Sequence, residues 1–450
     1  MSLPSTTVWE VRTTGSDSNG GGFNAARSGT DYSQQNAAQF SGTDLAIDGT
    51  TTTKVTSSSH SFVAADCGNI IHVTAGTGFT VGFYEVVSVS SGAATLDRAV
   101  GTAGSTGGTW ALGGALATPW SIWANSVCND EAKIWVKSGT YTLSANVTIV
   151  PRYLWVSGYD SIRGDGGSAT LQMADSATYI MYRGDGTYWY VQNIVFEDAK
   201  AIKSGILCYT GNNQESTFDA CVFRHGICAV IGHANFLKNC SIYDMAPGSD
   251  AVVNTVRALH NCLVHDITAT SSIFYFEARG VSITGNLFYN ITGGTLLDIR
   301  SYPQAIVSNN TIVGSAGSAM VGVMLYHDWV TGRASQVRIQ NNIFYRCSYA
   351  IEAYTNNDTS SVIRNNAYMA CTSGFTAIGT PHWTDMAGNI LLTQVPFTDI
   401  DAADYSLNNV TGGGKSCRGA GCSPAGIDSA IDIGAVQHAD AGGVIVVEED

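Results

Sequence analysis

Residues 306–314, "IVSNNTIVG", place two adjacent asparagines inside an apolar run where a lone buried strand would carry none. A buried amide is costly unless its donors and acceptor are paired. Repetition supplies the partners. The segments "VQNIVF", "FDACVF", "LKNCSI", "LHNCLV", "ITGNLF", "VSNNTI", "IQNNIF" and "IRNNAY" align on one column: Ile194, Cys221, Cys240, Cys262, Asn286, Asn310, Asn342, Asn366. Three residues earlier stand Val191, Phe218, Leu237, Leu259, Ile283, Val307, Ile339 and Ile363. Two residues later stand Phe196, Phe223, Ile242, Val264, Phe288, Ile312, Phe344 and Tyr368, so every flanking position is apolar or aromatic.

Successive rows lie 27, 19, 22, 24, 24, 32 and 24 residues apart, a spacing natural to coils that emit loops of different length. Apolar positions two apart follow strand periodicity, and the three-residue step marks a bend between strands. No intervening stretch has a long helical pattern. The fold expected is all-β: a right-handed parallel β-helix in which like residues stack down the interior. Asn286, Asn310, Asn342 and Asn366 then form a ladder, each amide bonding to the next coil, and Cys221, Cys240 and Cys262 continue the column as small buried groups.

Composition agrees. Charged residues are only 13%, and 50 glycines with 8 prolines suit many tight turns between short strands. A net charge of −14 with no basic block disfavours a nucleic-acid binder. No apolar run is long enough for a membrane span, and "MSLPSTTVWE" has no signal-peptide pattern. The odd total of 11 cysteines leaves at least one thiol without an internal partner. In "KSCRGAGCS", Cys417 and Cys422 admit a disulfide or a metal pair, and the sequence leaves that choice open.

Three regions are expected: a small Gly/Ser/Thr-rich β module over 1–115, the β-helix over 116–374, and a loop-rich C-terminal end and tail over 375–450. Thr118 is expected to N-cap a short helix beginning at Pro119, with Trp120, Trp123 and Val127 covering the open end of the first coil. "IWVKSGTYTL" and "NVTIVPRYLWVSGYD" follow as first rungs. In "GSDSNGGG", Asp17 and Asn19 are compatible with Ca²⁺ but lack the spacing of a known loop, so a plain turn is preferred and no cofactor is expected.

The capping helix, "VKSGTY", the "NNxI" rungs and the closing "DIGAV" (Asp432 to Val436) resemble the pectate-lyase-like superfamily of right-handed β-helices over about residues 118–437. That resemblance implies the fold and, for activity, a choice among polysaccharide lyases, glycosidases, epimerases, phage tailspikes and adhesins. "VRTTGSDSNGGGF" and the segment beginning "FYEVVSVSSG" resemble modules that precede β-helices in phage-encoded and environmental bacterial proteins. This implies a virion or extracellular location and, by analogy, a homotrimer.

Two sets of outward residues carry candidate chemistry. Three positions after the ladder stand Tyr243, His265, Tyr289 and Tyr345, with Asp244, Asp266 and Asn290 one residue on. Aromatic rings beside acids suit a sugar, although an exposed strand face favours aromatics anyway. On another strand, "FEARG" and "LDIRS" align with Glu277 over Asp298 and Arg279 over Arg300. "LYHDW" adds His327 and Asp328, and "IEAYT" adds Glu352 and Tyr354. Carboxylates one or two rungs apart lie about 4.8 or 9.6 Å apart by backbone, bracketing glycosidase geometry. For a lyase, Arg279 or Arg300 supplies the cation and His327 or Tyr354 the base. The alternative is that these Glu–Arg ladders only neutralise one another. The Asp-rich calcium constellation of pectate lyases and the polygalacturonase motifs are absent. The function expected is engagement of an extended polysaccharide, as a tailspike-like receptor-binding or depolymerising protein. The alternatives are a bacterial lyase or hydrolase and a non-catalytic spacer.

Overall fold

Left-handed residues decide where each coil bends. Asn239, Asn261, Asn309, Asn341 and Asn365 each precede a ladder position and have φ between 52° and 57°, a conformation asparagine tolerates and β-branched residues do not. Gly285 and Gly388 occupy the equivalent place at 69° and 70°. The "NN" doublet thus divides its labour, the first residue turning the chain and the second entering the interior.

The computed structural model describes residues 3–125, 131–174, 177–183, 188–200, 204–211, 215–247, 251–276, 280–300, 304–326, 337–354, 361–378, 383–422 and 431–435. They fall into two units, 1–200 and 201–450.

In the first unit Thr7–Val11 pairs in parallel with Ala132–Lys137, so the chain enters a coil before it builds the module that follows. That module is a closed antiparallel barrel, in the order Phe40–Ile47, Lys54–Thr56, Ala93–Leu96, Gly82–Ser90, Ile70–Ala75, Thr106–Leu112. Its core includes Leu45, Ile71, Val73, Val86, Trp110 and Leu112. The helix after it is a single turn, Trp120–Trp123, with both tryptophans buried. Its N-cap is Pro119, not Thr118 as expected. Thr118 is held instead by Asp17, which accepts from the Thr118 hydroxyl at 3.0 Å and from the amides of Ala117 and Thr118 at 2.9 Å each. Asn19 likewise spends its amide on the carbonyls of Asn36 and Ala115. Both side chains in "GSDSNGGG" therefore tie the turn to backbone. Val127 lies outside the described residues. The coils continue as Ala132–Lys137, Tyr153–Tyr159 and Tyr188–Gln192 in one parallel sheet, and Thr140–Leu143, Ala169–Met173 and Ile194–Asp198 in another.

The second unit is a right-handed parallel β-helix with three strand columns. One carries Leu237, Leu259, Ile283, Val307, Ile339 and Ile363 in register, all fully buried. Another carries Phe223, Ile242, Val264, Phe288, Ile312 and Phe344, also fully buried. A third carries Phe274, Leu297, Val323, Ile351 and Phe375. Between the first two runs the ladder. Nδ2 of Asn286, Asn310 and Asn342 donates to Oδ1 of the next asparagine at 2.9 Å each, and to the carbonyls of Leu259, Ile283 and Val307 at 2.8–2.9 Å. Each Oδ1 also accepts the preceding ladder residue's backbone N–H, as in Asn286 N to Asn310 Oδ1 at 3.0 Å. Asn366 continues this to Asn389, a rung in "MAGNIL" that the sequence alignment did not include. The ladder amides of Asn286, Asn310 and Asn342 are each paired through both Nδ2 and Oδ1, which is why the motif is tolerated inside an apolar core.

Beyond the coils, Phe397–Asp399 pairs with Asp404–Leu407, and this hairpin packs with Leu392 and Cys417 over Val313, Ile343 and Tyr345. The turning asparagines fasten the loop that follows it: Asn341 bonds both the N–H and the carbonyl of Cys422 at 2.9 Å, and Asn365 donates to Ala420 at 2.8 Å. "DIGAV" returns to the coils through Ala435 N to Thr311 Oγ1 at 3.0 Å. Cys417 and Cys422 are both free thiols, so no disulfide closes this loop.

Candidate functional site

The outward column is built by the strands that follow the ladder. Arg224, Tyr243, His265 and Tyr289 are consecutive register partners. The rings of Tyr243 and His265, and of His265 and Tyr289, stack at 4.8 Å with 7° between planes. This is the coil spacing itself. Such a stack covers its own faces, so sugar C–H groups cannot lie on them as the sequence suggested. It presents ring edges: two phenol hydroxyls and an imidazole edge.

The next residue in each coil is again left-handed: His225, Asp244, Asp266, Asn290 and Arg346 have φ of 49–66°. These turns carry a polar row. His225 Nε2 lies 3.0 Å from Asp244, and His265 Nδ1 lies 2.7 Å from Asp266 Oδ2. Asn290 donates to Asp266 Oδ1 and accepts from Ser315 Oγ at 2.9 Å. Burial opposes ionisation of Asp266, but the hydrogen bonds from Asn290 and His265 outweigh it and hold the carboxyl below its usual range.

The column does not stay open along its length. Tyr345, expected on the exposed face, is 4% exposed and packs edge-to-face on Phe397 at 5.7 Å. The C-terminal hairpin has claimed the apolar end of the column. Where the hairpin stops, a cleft of about 320 Å³ opens, bordered by Tyr289, Asn290, Ser315, Arg346, Asp401 and Tyr405. The Tyr289 and Tyr405 rings are 5.1 Å apart. Burial pushes the Tyr405 phenol up to about 12, helped by Tyr289 and opposed by Arg346, and burial with Asp266 raises Tyr289. Sequence reading missed Arg346, Asp401 and Tyr405; a cation directly after the Tyr345 position was the one available signal.

The second candidate set has a different register from that expected. Asp298 pairs with Tyr275, not Glu277, and then with Met324, Glu352 and Thr376. Arg300 pairs with Tyr326, which pairs with Tyr354. A shift of two keeps every side chain on its face, so alternation alone could not choose. Interior packing chose, setting Phe274 over Leu297 and Phe276 over Ile299. Asp298 is fully buried: Arg300 Nη2 donates to it at 2.7 Å, Arg300 Nε at 3.0 Å and Ser272 Oγ at 2.5 Å. The Arg300 guanidinium keeps 36% of its side chain exposed and lies 4.9 Å over the Tyr275 ring. Glu352 is 7% exposed and stands two rungs from Asp298, with Met324 between. Glu277, Arg279, His327 and Asp328 lie outside the described residues, as does the side chain of Tyr354.

The family described as "Periplasmic copper-binding protein (NosD)" matches residues 212–409, less than half of the chain. Among solved structures, the pectate lyase Pel9A is 12% identical and aligns over 72% of this chain and 92% of its own, with a TM-score of 0.37. The catalytic unit of a GH87 α-1,3-glucanase from Streptomyces thermodiastaticus is 11% identical over 79% and 86%, TM-score 0.28. The A-module of the mannuronan C-5 epimerase AlgE6 from Azotobacter vinelandii is 11% identical over 57% and 90%, TM-score 0.28. No curated protein matches the chain. These likenesses assign no activity. By their own stacked coils and interior ladders, residues 201–450 form a right-handed parallel β-helix.

Proposed function

We propose that the coils of residues 201–450 bind an extended polysaccharide along the flank that carries Tyr243, His265 and Tyr289. The observation that supports this most is the row of ring edges repeating at 4.8 Å and running to a cleft bordered by Arg346, Asp401, Asn290 and Ser315. Hydroxyls and an imidazole edge at a fixed repeat suit a chain of sugars, and the cation suits an acidic unit.

Depolymerisation is the second reading, favoured by the Asp266–His265 hydrogen bond. Asp266 engages Nδ1, so the imidazole's other nitrogen is directed away from it and is available to take a proton. In a β-elimination His265 removes the proton alpha to a uronate carboxylate, and Arg346, three coils further on, holds the carboxylate of another unit of the same polysaccharide. Tyr405 donates to the departing glycosidic oxygen as the C–O bond breaks and the electron pair forms the new double bond. Asp298 and Arg300 are the alternative locus, with Arg300 as the cation and buried Asp298 positioning it. The narrower identity, a trimeric phage tailspike-like protein outside the cytoplasm, rests on the resemblance of the N-terminal module; a monomer by light scattering would count against it. Copper fits poorly. Among the described residues no three His, Cys, Asp or Glu side chains converge, and the column cysteines are buried and donate to backbone carbonyls.

Titration calorimetry against a panel of uronate-containing and neutral polysaccharides tests binding, and absorbance of unsaturated ends with reducing-sugar release tests cleavage. His265→Ala and Arg346→Ala are each expected to weaken binding about tenfold, the equivalent of roughly 1.4 kcal/mol. Unchanged affinity in both variants would remove the flank from consideration. If cleavage occurs and survives His265→Ala but not Asp298→Asn or Glu277→Gln, the chemistry belongs to the other strand.

A further inference from the structure

The first unit carries an outward aromatic face that the flank does not account for. Three adjacent parallel strands, Ala132–Lys137, Tyr153–Tyr159 and Tyr188–Gln192, place Tyr153 beside Tyr188, and Lys133, Trp155 and Tyr190 in one row. Trp135 lies next to this row. Tyr153 and Tyr188 are 43% and 42% exposed, and Trp135, Trp155 and Tyr190 are partly exposed. The inward residues of the same strands, Ile134, Val136, Leu154, Val156, Trp189 and Val191, are buried, so the core does not need these five rings.

Ring geometry separates this face from the flank of the second unit. Tyr153 and Tyr188 stack at 4.8 Å and 5°, each covering one face of the other. Trp135 and Trp155 meet at 4.5 Å and 73°, an edge-on arrangement in which one indole leaves its faces uncovered by the other. Charge distinguishes it too. The chain has 36 acidic against 22 basic residues, yet these strands and the residue before Tyr153 carry Lys133, Lys137 and Arg152. The acids beside them are Glu131, Asp160 and Glu10, the last a register partner of Trp135 that is buried and already paired with Arg12 and Arg163. Indole faces take sugar C–H groups while neighbouring cations take carboxylates.

From this juxtaposition we propose that the outward face of Trp135, Tyr153, Trp155, Tyr188 and Tyr190 is a second, non-catalytic binding surface for an anionic polysaccharide. It rests on the polysaccharide reading for ligand class, not for location. Polygalacturonate, alginate and neutral dextran are titrated into the full chain while tryptophan fluorescence is followed. Polyuronates are expected to shift the emission and dextran is not. Tyr153→Ala with Tyr188→Ala, both at exposed positions, and Trp155→Ala are each expected to weaken polyuronate binding about tenfold. Circular dichroism and melting temperature check that these variants fold, and Trp155→Phe is expected to restore most of the affinity. Retained affinity in folded patch variants, with loss in Arg346→Ala, overturns the second surface and leaves the flank standing. The converse pattern keeps this surface and overturns the flank. No polyuronate binding by the unaltered chain overturns both. Concentration-dependent dimers that Tyr153→Ala abolishes would show that a second copy covers the face, and would overturn it as a glycan site.

Discussion

The same interior column is filled by asparagine over residues 286–389 and by cysteine over 221–262, and the two stretches are held in different ways. In the asparagine coils each ladder Oδ1 bonds the preceding coil twice, accepting from a backbone N–H and a side-chain amide. In the cysteine coils the thiols make weak bonds to one another and to carbonyls, Cys240 to Phe218 at 3.3 Å and Cys262 to Leu237 at 3.6 Å. Those carbonyls correspond to Leu259 and Ile283, which Asn286 and Asn310 contact at 2.8 and 2.9 Å. The asparagine coils also carry the C-terminal hairpin on their outside, tied by Asn341 and Asn365. The difference teaches where this β-helix is braced and where its flank stays accessible. The doubly held coils bury Val313 and Tyr345, whereas the coils of Cys240 and Cys262 leave Tyr243 and His265 partly exposed.

The sharpest way to break this contrast is Asn310→Leu. It removes one of the two acceptors of the Asn286 amide, the acceptor of the Asn286 backbone N–H, and the donor to the Ile283 carbonyl and to Asn342 Oδ1. Stability by urea unfolding is expected to fall by on the order of 3–5 kcal/mol. A loss below about 1 kcal/mol would mean that the ladder adds little beyond packing. Cys240→Ala, in the other half, removes one buried sulfur and is expected to cost only about 1 kcal/mol in the same measurement.

Cys262→Asn sharpens the contrast from the other side. It puts an amide over Asn286 Oδ1 and beneath the Leu237 carbonyl, the geometry already used at Asn286. Unfolding is expected to shift by less than about 1 kcal/mol, in the stabilising direction. A large destabilisation would show that these coils are too closely spaced or too tightly packed for the amide.

The outer brace has a pH signature. Burial raises the Tyr405 phenol to about 12, above its unfolded value of about 10. Above pH 10 the unfolded chain therefore binds fewer protons than the folded one, and stability is lost as pH rises through 10 towards 12. Tyr405→Phe is expected to flatten that part of the melting-temperature profile. The smallest effect concerns thiol access. Cys240 and Cys262 are buried, and burial pushes the Cys262 thiol further up, so both are expected to resist a thiol reagent until the chain unfolds. Among the described cysteines Cys67, Cys371 and Cys422 are half-buried and are expected to react before the rest.

The coil pattern was legible because each row repeats an apolar–x–x–ladder–x–apolar pattern that only stacked strands satisfy. Asn389 was equally legible: it lies 23 residues after Asn366 and its row, "MAGNIL", keeps the apolar flanks Met386 and Leu391, but the alignment stopped one row short of it. The aromatic column was legible as a column, since Tyr243, His265 and Tyr289 are true register partners. Its fate was not. Whether Tyr345 meets solvent depends on residues 397 and 405, more than fifty positions away.

What the sequence determined by itself is periodic: which residues face inward, where asparagine can turn the chain, and which amides can find one another. These follow from local backbone geometry repeated coil after coil. Only the tertiary structure decided which strands share a rung where a shift of two preserves every face, as between Tyr275 and Glu277 for Asp298. It also decided which outward residues a distant segment covers. Register of that kind and long-range cover are set by packing between residues remote in sequence, and a periodic pattern is equally satisfied by more than one answer.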